Sequence, residues 1–287
     1  MSVERAARRE RVKAFAFVLP ALLWTTAFFL LPFAFMLAMS LWQRLGGRIV
    51  ASWTLENYRN FFARPHFVEG LTNSLEITVT VTLLSVLFAY PLAWILAEKV
   101  PERWQRAALM LAVLPFWTSY VVRSYAWLLV LAHDGVVNRA LLALGILDTP
   151  LVLASTRAAT IIGFVHFFIM LLTLTIYANL RQLSPNYARA AADLGAGPLR
   201  IFLHVILPLT LPGVMVGAFL TFVLAIGDYV TPQILGGNNE LVLPQIIMLQ
   251  IGRRADLPSA SALAVILMLV VTLVYLACAR WLKLERA

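Results

Sequence analysis

The chain has 287 residues, 61% of them hydrophobic and only 13% charged. Soluble domains are about 45–50% apolar and about 25% charged, so an ordinary cytosolic enzyme, a disordered tail and a collagen-like fibre are excluded. Cys278 is the single cysteine, which rules out an intrachain disulfide. The net charge of +9 has no basic stripe interleaved with aromatics of the kind that grips nucleic acid; it reads as membrane topology.

A membrane helix needs about 20 predominantly apolar residues. After a basic tail over 1–14, six runs qualify: Phe15 to Trp42, Asn73 to Ala97, Ala107 to Ala132, Ala158 to Leu180, Leu211 to Leu235 and Ser261 to Leu282. All are continuous, whereas barrel strands alternate. The first is longer than the apolar core of a signal peptide, so it is read as a retained anchor. All three lysines (Lys13, Lys99, Lys283) and most arginines between spans fall on the side of the N-terminus, which predicts both termini in the cytoplasm. Pro20, Pro32, Pro91, Pro115, Pro212 and Pro232 punctuate the spans. Proline kinks suit a path that opens and closes, although proline is common in membrane helices generally. The expected architecture is therefore all-α and integral to the membrane, with six transmembrane helices and no internal repeat.

The connection between the fourth and fifth spans, Arg181 to Val214, is too long for a minimal loop and too apolar for a disordered linker. Ser184 is a good N-cap, Pro185 fits the first helical position and alanines fill the interior. Gly195 stands where a glycine stops a helix. Gly197-Pro198 opens a second amphipathic helix through Leu199, Phe202, Leu203 and Ile206, which Pro208 ends or bends. Arg189 and Asp193 are four apart and are expected to pair. An exposed, small-residue helix of this kind fits a groove on a partner. The competing reading is a helix lying on lipid, which would want bulkier residues than Ala190, Ala191 and Leu194.

This stretch resembles the EAA loop of binding-protein-dependent ABC importer permeases: Glu-Ala-Ala, three residues, Gly, nine residues, Ile, one residue, Leu-Pro. Here the pattern reads Arg189-Ala190-Ala191, Gly195, Val205 and Leu207-Pro208. The spacing is complete. Val205 for Ile is conservative, and Arg189 for Glu reverses a charge. The segments Pro115 to Leu131, His133 to Leu151 and Gly227 to Gly237 resemble the first permease subunit of spermidine/putrescine-type importers. The resemblance implies a permease domain over 69–282 with its loop at 181–212, a first helix over 15–42 and a cytoplasmic tail over 283–287. It implies a bacterial inner-membrane location and four kinds of neighbour: a homologous second permease, two ATPase subunits, a periplasmic solute-binding protein and the bilayer. It assigns ATPase docking to Arg189, Ala190, Ala191, Asp193, Leu194, Gly195, Phe202, Leu207 and Pro208. No glycine loop ending in Gly-Lys-Ser/Thr is present, so ATP and Mg are expected on the partner ATPase, with no cofactor on this chain. The implied solute is a polyamine; opine-like, amino-acid-like or other small cationic solutes are the alternatives.

Ionisable groups in the spans mark a cavity or an interface. Asp228 in the fifth span has two readings. It faces the translocation path, with Tyr229, Trp117 and Tyr120 as aromatic company for a flexible cation. Alternatively it lies near the outer mouth, satisfied by a backbone amide or an arginine. Arg123 is expected to pair with Asp228 or Glu76, and Glu76 to begin the second span near the surface; a gating role for Arg123 stays open. His166 is expected to be a hydrogen-bonded interior residue. His66, His133 and His204 are scattered, with no metal-ligand spacing. No Gly-x-Ser-x-Gly elbow or His-Glu-x-x-His pair supports catalysis. An ion-coupled carrier would leave the Ala-Gly loop without a purpose.

Overall fold

The computed structural model describes residues 15, 17–237 and 240–282, with the side chains of 280–282 left aside. The two basic tails expected over 1–14 and 283–287 lie outside the described residues. The chain divides into two compact units, one of residues up to 64 with 249–266, the other of 65–248 with 267 onward. Among the described residues, six stretches are long and apolar enough to cross a membrane.

In the first unit, helix α1 (Phe17–Ser40) presents apolar side chains outward, Phe17 being 84% exposed. It stops at Ser40, short of the expected Trp42. Strands β1 (Gln43–Leu45) and β2 (Arg48–Val50) follow as an antiparallel hairpin in which Arg44 pairs with Ile49. Its two-residue turn is Gly46-Gly47, both at positive φ, as a tight hairpin requires. Helix α2 (Glu56–Ala63) is fastened back by Asn57, whose amide donates to the carbonyls of Ser40 at 2.9 Å and Trp42 at 2.7 Å.

The second unit is built on α3 (Pro65–Lys99), α7 (Arg157–Gln182) and α9 (Pro198–Ile226). Two buried clusters join them. Ala89, Tyr90, Ala93 and Ala97 of α3 meet Leu172, Ile176 and Leu180 of α7 and Val214 of α9. Nearer the start of α7, Ile77 and Val81 meet Phe164, Val165, Phe168 and Ala225. Lipid gives apolar helices no reason to associate, so close backbone approach through small residues carries the packing. Gly213 and Gly217 on α9 supply it: a Cβ on Gly213 would fall on the Asn179 amide, and one on Gly217 would stand 2.9 Å from Leu172 Cδ2.

Two expected spans are redrawn. The third, expected over Ala107 to Ala132, is broken. Helix α4 (Glu102–Val113) gives way to a 3-10 turn at Leu114–Trp117, and α5 (Tyr120–Leu131) starts afresh. Pro115 has no amide to continue the helix, and Thr118 closes the turn by donating both N–H and hydroxyl to the Pro115 carbonyl. The stretch long enough to span is Tyr120–Ala143, which joins α5 to α6 (Val136–Ala143) across a turn. The fifth span begins earlier than expected, because the helix opened by Pro198 is its first part and not a separate element. Pro208 neither ends nor breaks it: a π-helical stretch at Phe202–Ile206 absorbs the missing donor, and the Thr210 hydroxyl donates to the Ile206 carbonyl at 3.0 Å. The same helix stops at Ile226, before the expected Leu235, and Val230–Leu235 forms the short α10. Finally α11 (Leu243–Gly252) precedes α12 (Leu257–Leu282).

Candidate docking helix and path residues

Between α7 and α9 stands α8 (Pro185–Asp193), with no buried residue. Its start is set by Ser184, whose hydroxyl accepts from the Asn186 amide at 3.4 Å. Its end is a Schellman motif: the Ala196 amide reaches back to the Ala191 carbonyl at 3.0 Å and the Gly195 amide to Ala192 at 2.9 Å. Gly195 takes φ +81°, a left-handed conformation that side chains resist, while the space around it is open. The helix is thus shaped by its own caps and stands clear of any core. Ala190, Asp193 and Gly195 are exposed, as is Arg189, and Leu194 is 90% exposed. Contrary to expectation, Arg189 and Asp193 form no ion pair with each other, nor with any other side chain among the described residues, and both are exposed.

The remaining residues assigned to docking lie elsewhere. Phe202 packs edge-on against Trp94, ring centroids 5.2 Å apart, and against Tyr90 at 5.7 Å. Leu207 packs on the same cluster, and Pro208 is exposed on α9. Phe202 therefore ties the base of α9 to α3, and Tyr90 reinforces the tie with a hydroxyl contact to Thr210 at 2.9 Å.

Asp228 caps α10: its carboxylate accepts from the amides of Val230 at 2.7 Å and Thr231 at 3.4 Å. The Tyr120 hydroxyl donates to the same carboxylate and also meets the Thr231 hydroxyl. Asp228 is half-buried. The crevice on its inner side, lined by Ser74, Thr78 and Pro232, is too tight for a water molecule. Tyr229 is 38% exposed beside it, whereas Trp117, 85% exposed, joins neither Asp228 nor Tyr120 in a hydrogen bond.

Arg123 is buried but pairs with neither carboxylate proposed for it. One Nη donates to the Thr118 carbonyl at 3.1 Å, and the guanidinium lies over the Phe167 ring at 4.9 Å. Its Nε and other Nη have no hydrogen-bond partner. Tyr120 explains the missing pair, since it occupies Asp228 itself. Glu76 is engaged elsewhere and lies well inside α3, not at its start. His166 accepts from the Trp127 indole at 2.9 Å, as an interior histidine would.

A polar cluster had no counterpart among the expected sites. Arg157 opens α7 and contacts Glu76 at 2.9 Å, Glu240 at 3.4 Å and the Asn73 amide oxygen at 3.2 Å. A cation in the first turn opposes the helix dipole and needs carboxylates nearby. That mismatch, an arginine directly after the Thr156 cap, was the readable signal. A cleft of about 440 Å³ opens beside it, lined by Glu76, Thr80, Arg157 and Ile161.

The fold defines a multi-span membrane protein that carries an exposed, capped helix between two of its spans. Residues 89–284 match the family described as "Binding-protein-dependent transport system inner membrane component". The chain belongs to that family. It is 32% identical over 88% of its length to the spermidine/putrescine transport system permease protein PotB of Escherichia coli (strain K12), covering 92% of that protein. It is 33% identical to the inner membrane ABC transporter permease protein YdcU of the same organism, over 78% of this chain and 74% of that one. A chain of a bacterial ABC transporter involved in the import of the acidic polysaccharide alginate shares the fold throughout, with TM-score 0.82, 16% identity and 100% of both chains covered.

Proposed function

We propose that this chain forms half of the translocation path of a type I ABC importer in a bacterial inner membrane, with both termini cytoplasmic, and that its solute is a polyamine. On this reading 69–282 is the permease domain. A homologous second permease completes the path, a periplasmic binding protein delivers the solute, and one of two ATPases grips α8 through Arg189, Ala190, Ala191, Asp193, Leu194 and Gly195. The observation that carries the reading is α8 itself: a helix with no buried residue, held in shape only by its caps, between two core spans. Such a lever has a use only if something outside the bundle pushes it. ATP shifts the bundle between two arrangements only if the ATPases hold α8 differently in each.

The polyamine assignment rests on the PotB relatives and on the carboxylates of Asp228, Glu76 and Glu240. Tyr120, whose hydroxyl contacts Asp228, and Tyr229, its chain neighbour, are candidate path residues with Trp117. A second reading has its own support: Arg123 is buried with two nitrogens unpartnered, which favours a solute carrying a carboxylate, such as an amino-acid-like molecule. ATP-driven uptake of radiolabelled putrescine or spermidine into liposomes holding the four-part complex tests the first reading. Competition by amino acids and other carboxylate-bearing zwitterions but not by polyamines would favour the second.

A further inference from the structure

The second unit carries a cleft of about 610 Å³ lined by Glu102, Arg103, Gln105, Arg106, Tyr177 and Arg181. Three arginines face one carboxylate there. Among the described residues none of the three side chains makes a hydrogen bond or ion pair, and neither does that of Glu102, although it stands four residues before Arg106. Converging guanidiniums with unspent donors match the planar oxygens of a phosphate. The cleft is held open by its own framework. Gln105, almost fully buried, donates to the carbonyls of Ala97 at 3.2 Å and Val100 at 3.1 Å, which fixes the start of α4 against the end of α3.

Its depth in the bilayer follows from three helix ends. The apolar spans α3 and α7 both stop at this level, at Lys99 and Gln182. Helix α4 is polar where it lines the cleft and apolar one turn further on, with Trp104 59%, Met110 71% and Leu111 72% exposed. Arginines at the end of apolar spans, next to an outward tryptophan and outward aliphatic side chains, stand at headgroup depth. We propose that this cleft is a binding site for the phosphate of an anionic phospholipid in the leaflet on the α8 side, held by Arg103, Arg106 and Arg181, with the acyl chains along Met110 and Leu111. Basic pockets between membrane helices take anionic headgroups by this chemistry. Arg181 lies four residues before Pro185, so an occupied cleft braces the base of α8. It is independent of which solute the importer carries.

The test is native mass spectrometry of the full complex, titrated with phosphatidylglycerol, with phosphatidylethanolamine and with inorganic phosphate. The intact chain should retain phosphatidylglycerol in preference to phosphatidylethanolamine. R103Q/R181Q should weaken that retention roughly thirtyfold, the scale of two leaflet-facing arginines, while R181K should keep most of it. If the double variant does not assemble, R106Q alone should still weaken retention several-fold. Unchanged retention in the variants that assemble would overturn the site. Displacement of the lipid by millimolar phosphate would overturn the lipid as its occupant. The same titration on the two permeases without the ATPases should show the same preference; a preference seen there and lost in the full complex would identify the cleft as the ATPase contact and overturn the proposal.

Discussion

A carboxylate that caps a helix can be neutralised without being uncapped, and Asp228 offers that separation. Asparagine keeps an oxygen for the Val230 amide but puts an NH2 where the carboxylate accepts from Tyr120 and Thr231, so Asp228→Asn should preserve assembly at a cost of about 1 kcal/mol while lowering polycation uptake several-fold. Asp228→Ala also loses the cap and should cost about 1 kcal/mol more. Uptake and melting temperature measured on the two variants separate charge from cap, and normal polyamine uptake by Asp228→Asn would remove Asp228 from the path. At Gly213 the argument is steric: a methyl there meets the end of the Asn179 side chain, which must turn aside, so Gly213→Ala should cost the bundle no more than about 1 kcal/mol, read as a small drop in the detergent-resistance midpoint. Residue chemistry was partly legible beforehand. The helical context of Asp228 and the interior place of His166 could be read from neighbours in the chain. The partners of Glu76 and Arg157 could not, because they come from distant segments: Asn73 and Arg157 are 84 residues apart.

Helices were legible where their signals are local. Ser184, Pro185 and Gly195 encode both ends of α8 within a dozen residues, and the caps form as those residue types dictate. Proline was harder to read, because its effect depends on what surrounds it. Pro115 ends a helix, Pro91 sits inside one, and Pro208 follows a π-helical turn that accommodates it. Hairpin β1–β2 and helix α11 escaped notice for a different reason: both are short and carry no long apolar run. The α8 cap yields a prediction at this scale. Gly195→Val must force a β-branched residue to φ +81°, a strain of about 1–2 kcal/mol concentrated at the helix end. The bundle should insert normally while ATP hydrolysis no longer drives uptake. Asparagine tolerates the left-handed region, so Gly195→Asn should retain most coupling. Equal uptake by the valine variant and the unmodified chain would remove α8 from the coupling route.

On the scale of the whole molecule, the question is where the energy enters. The chain has two arrangements to choose between only if an outside ligand binds one better than the other, and it has no phosphate-binding loop of its own. Liposomes holding this chain alone, or with only its second permease, should accumulate no polyamine above the passive leak, with or without ATP. Adding the ATPases, the binding protein and ATP should restore uptake. The polarity of the lever can be read in the same preparation. With Cys278 replaced by serine and Ala191 by cysteine, a membrane-impermeant maleimide should label inverted vesicles and spare intact cells, because α8 must face the compartment that holds ATP. Protection of that cysteine when the ATPases bind would connect the labelled face to the grip. Labelling from outside the cell would detach α8 from the energy source, and concentrative uptake by the chain alone would make the ATPases unnecessary.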